Sequence, residues 1–106
     1  MPGPIQLHLD LIVDPSKESQ MLEYFTTAFR PAAMKFDGYV ELKMLKLSHA
    51  AVGSAPKDVN YRFVLRYKSE ELRQKWVTSD VHAKVWSELE KTFLSNRYDV
   101  LIFDDQ

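Results

Sequence analysis

Apolar and polar residues alternate strictly over residues 5–13, where Leu7, Leu9, Leu11 and Val13 oppose Gln6, His8, Asp10 and Ile12. A period of two predicts a strand with one wholly aliphatic face. The period returns at 39–47, with Val40, Leu42 and Met44 on one side and Glu41, Lys43 and Leu45 on the other. It returns again at 61–67, where Tyr61, Phe63, Leu65 and Tyr67 oppose Arg62, Val64 and Arg66. A fourth strand is predicted at 98–103, with Val100 and Ile102 opposing Leu101 and Phe103.

Between these strands the period lengthens to that of a helix. From 17 to about 35 the apolar positions Met21, Leu22, Phe25, Ala28, Phe29 and Ala32 form one stripe. Pro31 lies within it and lacks a backbone donor, which predicts a kink or an early end. Ser69 is placed to cap a short helix whose first turn carries Glu70 and Glu71, suited to its positive end. Thr78 and Ser79 break that helix and cap a second, in which His82, Val85, Trp86, Leu89 and Phe93 share a face. Asp14-Pro15-Ser16, Asp37-Gly38, the Gly53- and Pro56-containing stretch 48–60, and Ser95-Asn96-Arg97 supply the breaks between elements.

The order is strand, helix, strand, strand, helix pair, strand. The middle strands join through a hairpin, which predicts an α+β, ferredoxin-like split βαβ domain over residues 1–106: a four-stranded antiparallel sheet with helices on one face. Nothing in the chain remains to cover the other face. With side chains as bulky as Tyr61, Phe63, Leu65 and Tyr67 on the strands, the sheet calls for a partner sheet, supplied by a homodimer.

Composition narrows the class. A length of 106 residues allows one domain, and 45% hydrophobic residues mark an ordered chain. A net charge of −1 gives no electrostatic footprint for nucleic acid. The absence of cysteine excludes disulfides, thiolate metal sites and cysteine nucleophiles. No apolar run reaches the length of a membrane span, and Met1-Pro2-Gly3-Pro4 does not read as a signal peptide, so a cytoplasmic location is expected. His8, His49 and His82 lack metal-ligand spacing, no metal site is expected, and neither a glycine-rich phosphate loop nor a G-x-S-x-G elbow occurs.

Two histidines are candidates for proton transfer, since the ordinary imidazole pKa of about 6.5 suits it. His8 stands two residues from Asp10 on one strand face, and His82 one turn before Trp86 on a mostly apolar helix face. If both faced the space between sheet and helices, they would meet across an aromatic-walled pocket; the alternative is a hydrogen-bonded core histidine. Trp76 and Trp86 are walls of such a pocket or simply large core residues. Arg62, Arg66 and Asp10 either line the pocket, positioning an anionic or phenolic ligand, or pair across strands.

The run from Tyr61 to Phe93 resembles the antibiotic-biosynthesis monooxygenase superfamily: a strand ending in an aromatic (Tyr67), a short helix to Trp76, then Ser79-Asp80-Val81-His82. The front half resembles it as well, in the Asp14-Pro15 break and Phe36-Asp37-Gly38-Tyr39 before the next strand. The resemblance implies a dimeric α+β barrel and a cofactor-independent monooxygenase acting on a small aromatic or quinol-like substrate. It implies His8 or His82 as base, Trp76 and Trp86 as walls, and Tyr67 or Arg66 as hydrogen-bond donor. In the haem-degrading branch a histidine stands ten residues after the first tryptophan. Here Trp86 occupies that place, and His8 stands near where that branch has a strand asparagine, so both departures count against haem. The rival readings are a non-catalytic module binding a small aromatic or anionic ligand on the same scaffold, and, less favoured, a haem-binding or haem-degrading relative.

Overall fold

The computed structural model describes residues 3–106; Met1 and Pro2, half of the N-terminal segment considered above, lie outside the described residues. The strands are β1 (Ile5–Leu11), β2 (Tyr39–Lys46), β3 (Tyr61–Tyr67) and β4 (Val100–Asp104). They form one antiparallel sheet in the order β2-β3-β1-β4. The helices are α1 (Glu18–Tyr24), α2 (Arg30–Met34), α3 (Glu70–Val77) and α4 (Asp80–Glu90). This is the predicted split βαβ arrangement, with the helices on one face.

Cross-strand register fixes which residues share a face. Leu7 pairs with Leu65 and Ile102, and Leu9 with Phe63 and Val100, so these lie beneath the helices. His8 pairs with Val64 and Leu101, Gln6 with Arg66 and Phe103, and Asp10 with Arg62, so these lie on the open face. The aliphatic face of β1 is buried throughout, as its alternation requires. Tyr61, Phe63, Leu65 and Tyr67 are buried as well, but under the helices. The bulk that seemed to call for a partner sheet therefore belongs to the chain's own core. The open face carries instead the polar sets of β1, β2 and β3, with Leu101 and Phe103 of β4.

Several boundaries differ from expectation for physical reasons. β1 ends at Leu11, and Val13 makes only an isolated bridge to Phe93. The Asn60 side chain bonds both the N–H and the C=O of Val13 at 2.8 Å, completing the strand end as a neighbouring backbone would. β2 is irregular between Tyr39 and Glu41. The extra residue is Val40, which is turned out and exposed rather than joining Leu42 on the core side. Phe93 lies beyond α4, which stops at Glu90; the chain there turns extended to pair with the end of β1, with Thr92 O accepting from Asp14 N–H. β4 begins at Val100, two residues later than expected.

The first helix does not end at Pro31. It passes through a π-helical stretch, Phe25–Phe29, and continues as α2 to Met34. Its buried residues are Met21, Phe25, Phe29 and Ala33, every fourth position. A step of four drifts around an ordinary 3.6-residue helix, and the wider π turn holds all four towards the sheet. Leu22, expected in the stripe, is exposed. At the next turn Gly38 has φ +94°, and a Cβ there would lie 2.7 Å from that of Leu72. Glycine is required both for the conformation and for the close approach of α3.

Candidate active site

The site is built by α3 and α4 lying over the middle of the sheet. Ser69 caps α3 by accepting from Leu72 N–H, and Ser79 caps α4 by accepting from His82 N–H. Ser79 Oγ also donates to Trp76 O at 2.6 Å, tying the end of α3 to the start of α4. These caps fix the helix phases and so bring Trp76, His82 and Trp86 together. The His82 ring stacks on Trp86 at 6.1 Å and 6°, and meets the edge of Trp76 at 5.0 Å and 88°. Phe29 packs edge-on to both tryptophans, at 5.9 Å in each case.

Between these rings and the sheet lies a cavity of about 190 Å³, walled by Leu7, Leu9, Phe63, Leu65 and Val100 below and by Trp76, His82 and Trp86 above. Arg73 and Tyr98 complete the wall. Trp86 Nε1 donates to Tyr98 Oη at 2.8 Å, and that hydroxyl donates to Glu90 at 2.6 Å. Burial and the Glu90 bond push the Tyr98 hydroxyl up to about 12, so it stays protonated and holds Trp86 in place.

Burial and the nearby Arg73 charge hold the His82 imidazole below its ordinary pKa. It is therefore mostly neutral near pH 7, and its ring nitrogens make no hydrogen bond among the described residues. An unengaged, neutral imidazole in an apolar wall can take a proton from a bound molecule.

The other predicted site residues lie elsewhere. His8 is on the open face, bonded through Nε2 to Gln6 Oε1 at 3.1 Å and packed against Phe103. It cannot meet His82 through the sheet. Arg62 pairs with Asp10 at 2.7 and 3.2 Å on that same face, and Arg66 with Asp105 at 3.2 Å. Arg66 is thus on the far side of the sheet from the cavity. Tyr67 is fully buried under the helices, yet it forms no part of the cavity wall, and its hydroxyl has no hydrogen-bond partner among the described residues. A larger hollow of about 330 Å³ on the open face is lined by His8, Asp10 and Arg62 among others. Its Asp10 and Arg62 are spent on one another, whereas the His82 ring of the smaller cavity makes no hydrogen bond among the described residues.

Arg73 was not singled out from the sequence. It sits three residues before Trp76, and that helical step, which places both on one face, was the available signal. Among the described residues, no group of three or more His, Cys, Asp or Glu side chains comes together to hold a metal.

The architecture is that of ferredoxin-like α+β proteins, and solved structures share it along almost the whole chain. The chain is similar to a "putative antibiotic biosynthesis monooxygenase" from Bordetella bronchiseptica, at 16% identity and a TM-score of 0.77, covering 98% of each chain. It is as similar in shape to a dimeric ferredoxin-like protein of unknown function from Jannaschia sp., at 10% identity and TM-score 0.77, covering 97% of this chain and 100% of that one. It is also similar to the hydroxynitrile lyase of Passiflora edulis, at 11% identity and TM-score 0.75, covering 100% and 96%. No protein-family model matches the sequence, and no curated protein does. The resemblance read from residues 61–93 holds at the level of fold, and two differently named enzymes on one scaffold leave the chemistry to the site.

Proposed function

We propose that the protein is a small cofactor-independent monooxygenase acting on a quinol-like aromatic substrate, with His82 as its base. The observation that carries this reading is the neutral, unengaged His82 imidazole beside two tryptophans in a hollow walled mostly by apolar side chains. A cavity of about 150 Å³ lined by apolar side chains binds benzene. One of about 190 Å³ has room for one substituted ring.

With hydroquinone, His82 takes a phenolic proton and the phenolate passes one electron to oxygen. The ring radical and superoxide join as a peroxide at a ring carbon. That carbon then loses its proton and the O–O bond breaks. One oxygen stays as a carbonyl, the other leaves as water, and the product is hydroxybenzoquinone. The substrate supplies both electrons, and the apolar walls hold it against oxygen without competing water.

Homodimerisation belongs to the same proposal. Leu45, Leu101 and Phe103 stand about half exposed on the open face, and a second copy packing its own open face there would cover them. The similar fold of a protein described as dimeric supports this. Incubation of the pure protein with hydroquinone under ¹⁸O₂ tests the function. One labelled oxygen in the product and oxygen uptake above the protein-free rate are expected. Unlabelled benzoquinone at the protein-free rate would reject the oxygenase and leave a binding module.

A further inference from the structure

The cavity wall contains one charged side chain, and its setting is unusual for a surface arginine. Arg73 is about 12% exposed at its side chain. Its Nε and Nη2 are both committed to the Glu70 carboxylate, at 2.7 and 2.6 Å. Nη1 has no hydrogen-bond partner among the described residues, yet it is not sealed off. Glu70 does not reach the cavity, whereas Arg73 lines it together with His82. The two-point bond fixes the plane of the guanidinium beside the hollow and leaves Nη1 uncommitted. Burial is the larger influence at both His82 and Tyr67, and the Arg73 charge adds to it at His82 and opposes it at Tyr67.

We propose that this cavity selects a planar aromatic ligand carrying one negative charge, which Arg73 Nη1 receives while Glu70 positions the guanidinium. The inference rests on reading the hollow as the ligand site, but not on the oxygen chemistry. A ring that is anionic on arrival, or becomes so when His82 takes its proton, meets a donor already held in place by Glu70. A neutral ring of the same shape leaves that donor unsatisfied, and a buried unpaired donor is costly. The ligand class is therefore a substituted benzoate or an acidic phenol rather than a neutral arene.

The test is calorimetric titration of the whole protein with 4-methylbenzoate and with 4-methylbenzamide, which differ chiefly in charge. The carboxylate is expected to bind at least tenfold more tightly and to perturb the emission of Trp76 and Trp86. R73M is expected to bring the carboxylate down to the affinity of the amide while leaving the amide within about twofold; R73K is expected to keep part of the preference. Should R73M fail to fold, R73Q and the wild-type comparison still decide. Equal affinities in the wild type, no binding of either probe, or an unchanged preference in R73Q would overturn the proposal. Oxygen uptake is read separately. An anion preference without turnover keeps the Arg73 assignment and removes the oxygenase, and turnover without the preference does the reverse.

Discussion

The two faces of the sheet are made by the same strands and differ in almost everything else. Beneath the helices, aliphatic and aromatic side chains close on one another, and the polar groups admitted there are few. Those that line the hollow are His82, Arg73 and Tyr98. On the open face, Arg62 answers Asp10, Arg66 answers Asp105 and Glu41, and His8 answers Gln6. Imidazoles on the two faces consequently mean different things. Both rings are part-buried, but His8 is engaged with Gln6, whereas His82 makes no ring hydrogen bond among the described residues. A period-two strand thus separates a mostly apolar hollow from a polar face without a change of backbone.

Substitutions on the two faces test that separation. Phe29 lies among Phe25, Phe63, Trp76 and Trp86. Phe29→Ala should cost about 3–5 kcal/mol in urea unfolding. Phe103→Ser on the open face should cost the isolated fold about 1 kcal/mol or less, and on the proposed dimer it should shift sedimentation towards monomer. Equal costs at the two sites would erase the contrast. Tyr98→Phe removes the acceptor of the Trp86 N–H and the donor to Glu90, for a loss of about 1–2 kcal/mol. Arg62→Ala breaks an ion pair whose arginine is half exposed, and such pairs contribute at most about 1 kcal/mol; a larger loss would make the open face part of the core.

The smallest effect separates the histidines by pH. His82 has a folded pKa below its unfolded value of about 6.5. The unfolded chain therefore binds the proton more readily, and stability falls as pH drops below about 6.5 towards the folded pKa. His8 is shifted the same way, first by burial and then by Arg62. His82→Gln should flatten only part of the acid loss, and nuclear magnetic resonance should place the His82 midpoint below 6.5. A midpoint at or above that value would mean that the ring is solvated or paired.

Much of this was legible in the chain. Alternation in β1 and β3 grouped the residues that share a face and set His8 opposite the aliphatic residues, but it did not say which face the helices cover. The serine caps and the stripe through His82, Val85, Trp86 and Leu89 located the helix over the hollow. The rest was hidden for particular reasons. A bulge such as that at Val40 leaves no mark when Tyr39, Val40 and Glu41 all suit a strand. Phe93 continues the helical step in sequence, and only the pairing of Val13 with it, a contact between distant segments, ends the helix sooner. Arg73 stands in Glu70-Glu71-Leu72-Arg73-Gln74-Lys75, where charge reads as a solvated face. Its inward turn follows from the phase of Leu72 and Trp76.

The division between the faces is tested most directly by one paired measurement, oxygen uptake with hydroquinone by His82→Ala and by His8→Ala. His82→Ala should lower the rate by at least about a hundredfold, as loss of a general base does, while His8→Ala keeps the rate within about twofold. A protein stalled by His8→Ala and indifferent to His82→Ala would move the chemistry to the open face and contradict the account.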